Sequence, residues 1–414
     1  MKARNLCLIL ICVSCVSTKL LAQPPGPVVQ WNRDLVSLLR TPGAQPATIH
    51  PTRSMAILHA AIYDSVNSID KSHAAYKVLL PGAPADASPD AAAAAAGHEV
   101  LLKLFPAFQP FIDSEYLQLL TQIPDGTPKT EGEQVGTAVA DQIIQIRTGD
   151  GSGVTPPGFI PINVPGDYQL TPPNFAAAVF THWPNVTPFA LFSPSQFRPD
   201  PPPALTSQTY TNDFNEVKTL GPPRSPAATS DQQLIGVFWN GAIQNYWNEI
   251  AQIAALSKQL TTAQAARLFA LLNLSLADTV IAFYDAKYTY TFWRPVTAIR
   301  AADIDDNPDT QSDPNFLPET KTTAADPSYP GAHGAISAAA AAVLASFFGT
   351  DQFSFNLTSE VFAGVQRSFT SFSGASQEAF LSRIYAGQHF RFDQTAGAQL
   401  GSNVAGFVVT NLLH

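Results

Sequence analysis

The sequence predicts an all-α protein, a helical bundle with long Pro-rich loops. Two observations carry this. Apolar residues recur at three- and four-residue spacing over 52–70, 91–105, 131–147, 232–256, 262–284, 335–348 and 377–385, with Ala, Leu and Gln abundant and strand-like alternation scarce. The chain is also long and apolar enough for a large core, with 414 residues of which 45% are hydrophobic and only 13% charged. Together these point to helices packed on helices.

From the N-terminus, Lys2 and Arg4 precede an apolar run over 6–16, and Ala22 follows Leu20 and Leu21. This is the layout of a secretory signal peptide over 1–22, although Leu20 is bulkier than the usual small residue near a cleavage site. It implies a secreted or periplasmic protein. All three cysteines, Cys7, Cys12 and Cys15, lie in the leader, so its removal excludes disulfides, thiolate metal sites and a cysteine nucleophile. The remainder divides into an N-terminal helical half with a Pro-rich wrapping loop (23–230) and a C-terminal helical half carrying the chemistry (231–414). No further stretch reads as a stable membrane span, since the Ala-rich run over 335–348 is too short. A formal charge of −9 without any basic block excludes nucleic-acid binding by phosphate neutralisation as a main function.

Over 149–230 the composition turns to Pro and Gly, including Pro201, Pro202 and Pro203 in succession. Proline fixes φ and lacks an amide donor, so this stretch reads as non-helical. It is either a free linker or an ordered loop wrapped over the bundle. Phe180, Trp183, Phe189, Phe192 and Phe197 favour the loop, because a free linker has no use for so many apolar anchors.

Three segments of the last third carry chemistry. Lys287 and Arg294 stand seven residues apart before Pro295, so a continuous helix would project both cations from one face. Pro330, Gly331, Ala332 and His333 run straight into an Ala-rich helix, which sets a titratable group at a helix N-terminus able to receive an anion. Ser382 and Arg383 precede His389, and a break near Gly387 is needed to bring Arg383 and His389 to one point. All three are oriented to an anion.

The order Lys-x6-Arg-Pro, then Pro-x-x-His, then Ser-Arg-x5-His resembles the vanadium-dependent haloperoxidases and the related type 2 phosphatidic acid phosphatases, most closely the bacterial haloperoxidase branch. The likeness extends upstream to Phe197–Thr206 and Asp213–Lys218. The resemblance implies a vanadate cofactor, or a bound phosphate in a phosphatase. It implies that Lys287, Arg294 and Arg383, with the Gly331–Ala332 segment, hold the oxyanion. It implies that His389 bonds the metal or attacks phosphorus, and that His333 is the general acid/base. The implied partners are hydrogen peroxide with a halide or small organic substrate, or a phosphoester. Vanadate and phosphate share one tetrahedral shape, so three readings stand: a secreted haloperoxidase-like enzyme, a soluble acid phosphatase using a phospho-histidine intermediate, and a non-catalytic oxyanion binder. The sequence assigns no oligomeric state.

This chain departs from the family pattern at three places. Gly331-Ala332 replaces the Ser-Gly of Pro-Ser-Gly-His, which removes at Gly331 a hydroxyl donor worth roughly 1.5–3 kcal/mol to a charged acceptor and leaves backbone amides. Restoring it by Gly331→Ser is expected to tighten vanadate binding within an unchanged fold. Asp326 stands seven positions before His333, where chloroperoxidases have an aromatic residue, and a carboxylate there repels a halide. Tyr284 replaces a tryptophan three residues before Lys287. The cations around the two histidines are expected to perturb them in opposing senses. Ser328 lacks a nucleophile-elbow context and is set aside, as are His50, His59, His98 and His182, read as capping or packing residues.

Overall fold

A computed structural model describes residues 25–414 of the chain, and the expected leader over 1–22 lies outside them. Thirteen α-helices account for most of the described residues: α1 (Pro27–Arg40), α2 (Pro51–Asp70), α3 (Pro89–Leu104), α4 (Gln109–Thr121), α5 (Thr127–Ile146), α6 (Gln208–Leu220), α7 (Ser230–Phe238), α8 (Ile243–Ser257), α9 (Thr262–Tyr290), α10 (Pro295–Arg300), α11 (Ala332–Phe348), α12 (Phe372–Tyr385) and α13 (Arg391–Asn411). Among the described residues the fold is all-α apart from one hairpin, β1 (Gln352–Thr358) with β2 (Gln366–Ser371).

Local chemistry sets the helix starts. Pro stands in the first turn of α1, α2, α3 and α10, where its missing amide costs nothing. Thr261 and Gln264 form a capping box that starts α9, as Thr229 and Gln232 do for α7. At 29 residues, α9 spans about 43 Å. By length and apolarity it could cross a bilayer, but it is the buried centre of the bundle, packed against α2, α11 and α13.

α11 and α13 meet closely because both carry small residues at the seam. A Cβ on Gly401 would run into the carbonyl of Ala335, and one on Gly397 into that of Gly331. Two buried carboxylates fasten the irregular segments. Asp64 on α2 accepts from the amides of Tyr76, Lys77 and Val78 at 2.6, 2.9 and 2.7 Å. Asp278 on α9 does the same for Phe189, Ala190 and Leu191 at 2.6, 2.7 and 2.8 Å. Seven residues on, Asp285 takes Arg198 through two bonds of 2.7 and 2.8 Å.

The segment following α5 is therefore a loop held to the bundle. Trp183 and Phe189 are buried, while Phe192 is 87% exposed and touches only Phe407 edge-on among the aromatic rings. Contrary to the expectation that 149–230 excludes helix, α6 forms there. It occupies a proline-free stretch capped by Ser207, and it buries Tyr210, Phe214 and Val217 against Phe292, Trp293 and Phe390. The single helix expected over 232–256 is broken at Trp239–Ala242, between α7 and α8. α1, α4, α13 and the hairpin were not anticipated. In β1 the inward residues Phe353, Phe355 and Leu357 alternate with exposed ones.

Candidate active site

Four junctions converge on one buried cluster of cations. α9 carries Lys287 on its last turn and ends at Thr291, whose φ of 44° is left-handed. Arg294 follows as the N-cap of α10. The two cations thus meet across a chain reversal, and not on one helix face as their spacing suggested. Gly331 caps α11, placing Ala332 and His333 in its first turn. α12 presents Arg383 and ends at Tyr385, and Gly387 at φ 71° turns the chain so that His389 returns toward Arg383. The amide of His389 donates to the Arg383 carbonyl at 3.3 Å, which is the break that the spacing required. The connection between α7 and α8 contributes the Trp239 carbonyl and Asn240.

Arg294 is the hub and is 1% exposed. Its Nε donates to the Asp326 carbonyl at 2.8 Å, its Nη2 to the Asp326 carboxylate, and its Nη1 to the Gln388 carbonyl at 3.1 Å. Nη1 also lies 2.9 Å from Nε2 of His389. A guanidinium can only donate, so Nε2 holds the lone pair and the ring proton sits on Nδ1. There it donates to Oδ2 of Asp393 at 3.1 Å. That oxygen also accepts from Ser328 Oγ at 2.6 Å and from the Phe390 amide at 3.0 Å. His389 is therefore fixed in one tautomer, with Nε2 turned toward the cations.

Lys287 is fully buried, with Nζ donating to the carbonyls of Pro327 and Ser328 and lying 3.6 Å from Oδ2 of Asp326. Arg383 donates from Nη1 to Asn240 Oδ1 at 3.1 Å, and its buried Nε has no protein partner. His333, partly buried, donates from Nε2 to the Trp239 carbonyl at 2.9 Å, which leaves Nδ1 as the proton acceptor.

Electrostatics follows from this crowding. Burial, then Arg294, Lys287 and Arg383, hold His389 well below the usual histidine range. Burial, then Arg383 and Arg294, do the same to His333. The expectation of opposing shifts is corrected: both rings face the same cations and move the same way. Burial lowers Lys287 to about 8, and burial with Arg294 pulls Arg383 down. Burial alone would raise Asp326, but Lys287 and Arg294 hold it below the usual carboxylate range. Asp393, buried behind His389, is pushed up to about 7.

The structure thus gathers Lys287, Arg294, Arg383, His333 and His389 at the start of α11. Two expectations about Gly331 change. Its amide already donates to the Asp393 carbonyl at 2.8 Å, so the free amides of the turn are those of Ala332 and His333. A Cβ at 331 would collide with the carboxamide of Gln394, so Gly331→Ser requires that side chain to move out of its place. Sequence reading overlooked Asp393, although it lies four residues after His389 in the same motif. It set aside Ser328, which joins them, and missed Asn240, signalled only by the Asn-Gly pair that interrupts a helical pattern.

Residues 267–413 match the family described as the VCPO second helical-bundle domain. The vanadium chloroperoxidase of Curvularia inaequalis is 24% identical over 497 residues, covering 90% of this chain and 80% of the relative. A crystal structure of a bacterial vanadium-dependent iodoperoxidase superposes with a TM-score of 0.79 at 26% identity, covering 94% of this chain and 98% of that one. A holo-type bacterial vanadium-dependent chloroperoxidase shares the fold, with a TM-score of 0.67 at 15% identity over 94% and 95% of the two chains.

Proposed function

Because the chain belongs to the vanadium haloperoxidase superfamily, we propose that it is a vanadium-dependent haloperoxidase-like enzyme that uses hydrogen peroxide to oxidise a halide. The observation that carries this reading is His389, whose Nε2 lone pair is turned into the cation cluster by Asp393 at its Nδ1.

The residues fit an oxyanion cofactor. Arg383 Nε and Gln394 Nε2 are buried donors without protein partners, and Lys287, Arg294 and Arg383 outnumber the one carboxylate held firmly ionised among them, Asp326. Buried positive charge of this kind is stabilised by a bound anion. His389 Nε2 would be the protein ligand to vanadium. Lys287, Arg294 and Arg383, with the amides of Ala332 and His333, would hold its oxygens. Bound vanadate supplies a Lewis acid that activates peroxide toward a halide. His333, neutral and anchored through Nε2, keeps Nδ1 free to take and return a proton.

A soluble phosphomonoesterase is the second reading, because phosphate has the tetrahedral shape and charge that Lys287, Arg294 and Arg383 would take. The ionised Asp326 beside Lys287 and Arg294 opposes halide and phosphate alike and does not choose between them. His389 Nε2 would then attack phosphorus, and His333 would protonate the leaving oxygen. Halogenation measured with and without orthovanadate, beside phosphomonoester hydrolysis by the metal-free protein, separates the two. Vanadate-dependent halogenation supports the peroxidase, hydrolysis alone the phosphatase, and neither leaves an oxyanion binder. The leader over 1–22 leads us to propose export, tested by locating the mature chain and sequencing its N-terminus.

A further inference from the structure

We propose that the carboxamide of Gln394 supplies the oxyanion donor that Gly331 lacks. Gln394 sits on the first turn of α13, immediately after Asp393, and is fully buried. Its Oε1 accepts from the Gly334 amide at 2.8 Å, so it caps the third residue of α11 much as the side chain of an N-cap serine would. An amide nitrogen can only donate, and this bond therefore settles which end of the carboxamide is which. The other end, Nε2, is a buried N–H donor with no protein partner. A side chain built at position 331 would fall first on that Nε2. One glutamine thus fills the space of a serine side chain at 331, and both functions of such a serine, cap and donor, are met from α13.

Leaving a buried donor unpaired is costly unless something binds it. The unfilled demand at this turn is an anion held by Arg383, Arg294 and the free amides of Ala332 and His333. Gly331 and Gln394 then form a pair: the glycine is required because the glutamine occupies its side-chain volume. Gln394 is a binding residue for the oxyanion, whether vanadate or phosphate. The inference rests on reading this cluster as an oxyanion site.

Isothermal titration of the purified mature protein with orthovanadate and, separately, inorganic phosphate tests it. Gln394→Leu keeps the volume but removes the donor together with the cap on the Gly334 amide, and should weaken binding at least ten- to a hundredfold, about the worth of a hydrogen bond to a charged acceptor. Gly331→Ser in the parent background should weaken binding as well, since it expels the carboxamide. Gly331→Ser with Gln394→Ala should bind within a few-fold of the parent, because the hydroxyl then takes the vacated place. Parent-like affinity in folded Gln394→Leu overturns the proposal. If that variant does not fold, the double variant decides, and binding as weak as in Gly331→Ser alone overturns it. A parent that binds neither anion instead overturns the oxyanion-site reading itself.

Discussion

Oδ2 of Asp393 lies 3.1 Å from Nδ1 of His389, and together with the Ser328 hydroxyl and the Phe390 amide it holds the ring in one tautomer. Asp393→Asn keeps the size but replaces an acceptor with a group that can offer its own N–H to Nδ1. That releases the ring to carry its proton on Nε2, where it could not serve as the proposed metal ligand. Affinity for orthovanadate should fall about ten- to a hundredfold, as is usual when the partner of a ligating histidine is lost. Titration calorimetry on the folded variant measures it, and unchanged affinity would show that Nδ1 needs no carboxylate.

Asp326 competes with any bound anion for Lys287 and Arg294. Asp326→Asn should therefore act with opposite signs on stability and on binding. Without ligand, two buried cations lose their counter-charge, a cost of about 3 kcal/mol or more in thermal or denaturant unfolding. With orthovanadate or phosphate present the freed donors turn to the ligand, and affinity should rise. A variant that is both as stable and as weak-binding as the parent would remove Asp326 from the cage.

His333→Ala and His389→Ala should separate binding from turnover. His333 is tied to the Trp239 carbonyl through Nε2, and on the proposed role of proton carrier its loss should abolish turnover and leave vanadate bound. His389→Ala should release vanadium, read by metal analysis after gel filtration. Retention of vanadium by His389→Ala would mean that another residue is the ligand.

Stability should fall on acidification because of buried histidines outside the cation cluster. His59 is fully buried against Phe269, accepts from Asn32, and is lowered by burial from 6.5 to about 3. Its contribution is complete above pH 6.5, where the unfolded chain is neutral too. It is lost as pH falls toward 3, at up to about 1.4 kcal/mol per pH unit for the one proton taken up on unfolding. His50 behaves alike, lowered to about 3 by burial against an opposing pull from Asp326. His59→Gln should flatten the slope between pH 6 and 4 by one proton, measured by denaturant unfolding across that range.

The long helices expected from periodicity and the cations and histidines of the cluster were legible because each rests on a local signal: periodicity, a cap, a motif. Lys287, Arg294, Arg383, His333 and His389 announce themselves in short anion-oriented segments. Asp393 and Gln394 do not, because their roles depend on how tightly α13 lies against α11, and that is set by Gly397 and Gly401 meeting the backbone of the other helix. Gly331 looked like a loss for the same reason, since the group that fills its space comes from 63 residues further along the chain. The seven-residue spacing of Lys287 and Arg294 suggested one helix face, yet α9 stops at Tyr290 and the pair is joined by a turn. The break at Trp239–Ala242 was hidden because apolar periodicity resumes on its far side.

The clasp between Asp278 and the amides of Phe189, Ala190 and Leu191 divides the long loop into two territories for protein engineering. Downstream of it, Arg198 and the Pro199 carbonyl are tied to Asp285 and Tyr290 on the last turns of α9, beside Lys287. Lengthening the chain there would strain the helix that aims a cage cation. Upstream, Ile160 and Ile162 are 84% and 71% exposed. Yet the chain that follows them is tied to the turn beside Arg294, with the Trp293 amide donating to the Gly166 carbonyl at 2.8 Å and the Val179 amide to the Ala325 carbonyl at 2.9 Å, so a peptide tag or guest domain spliced in there must carry enough slack not to pull on those bonds.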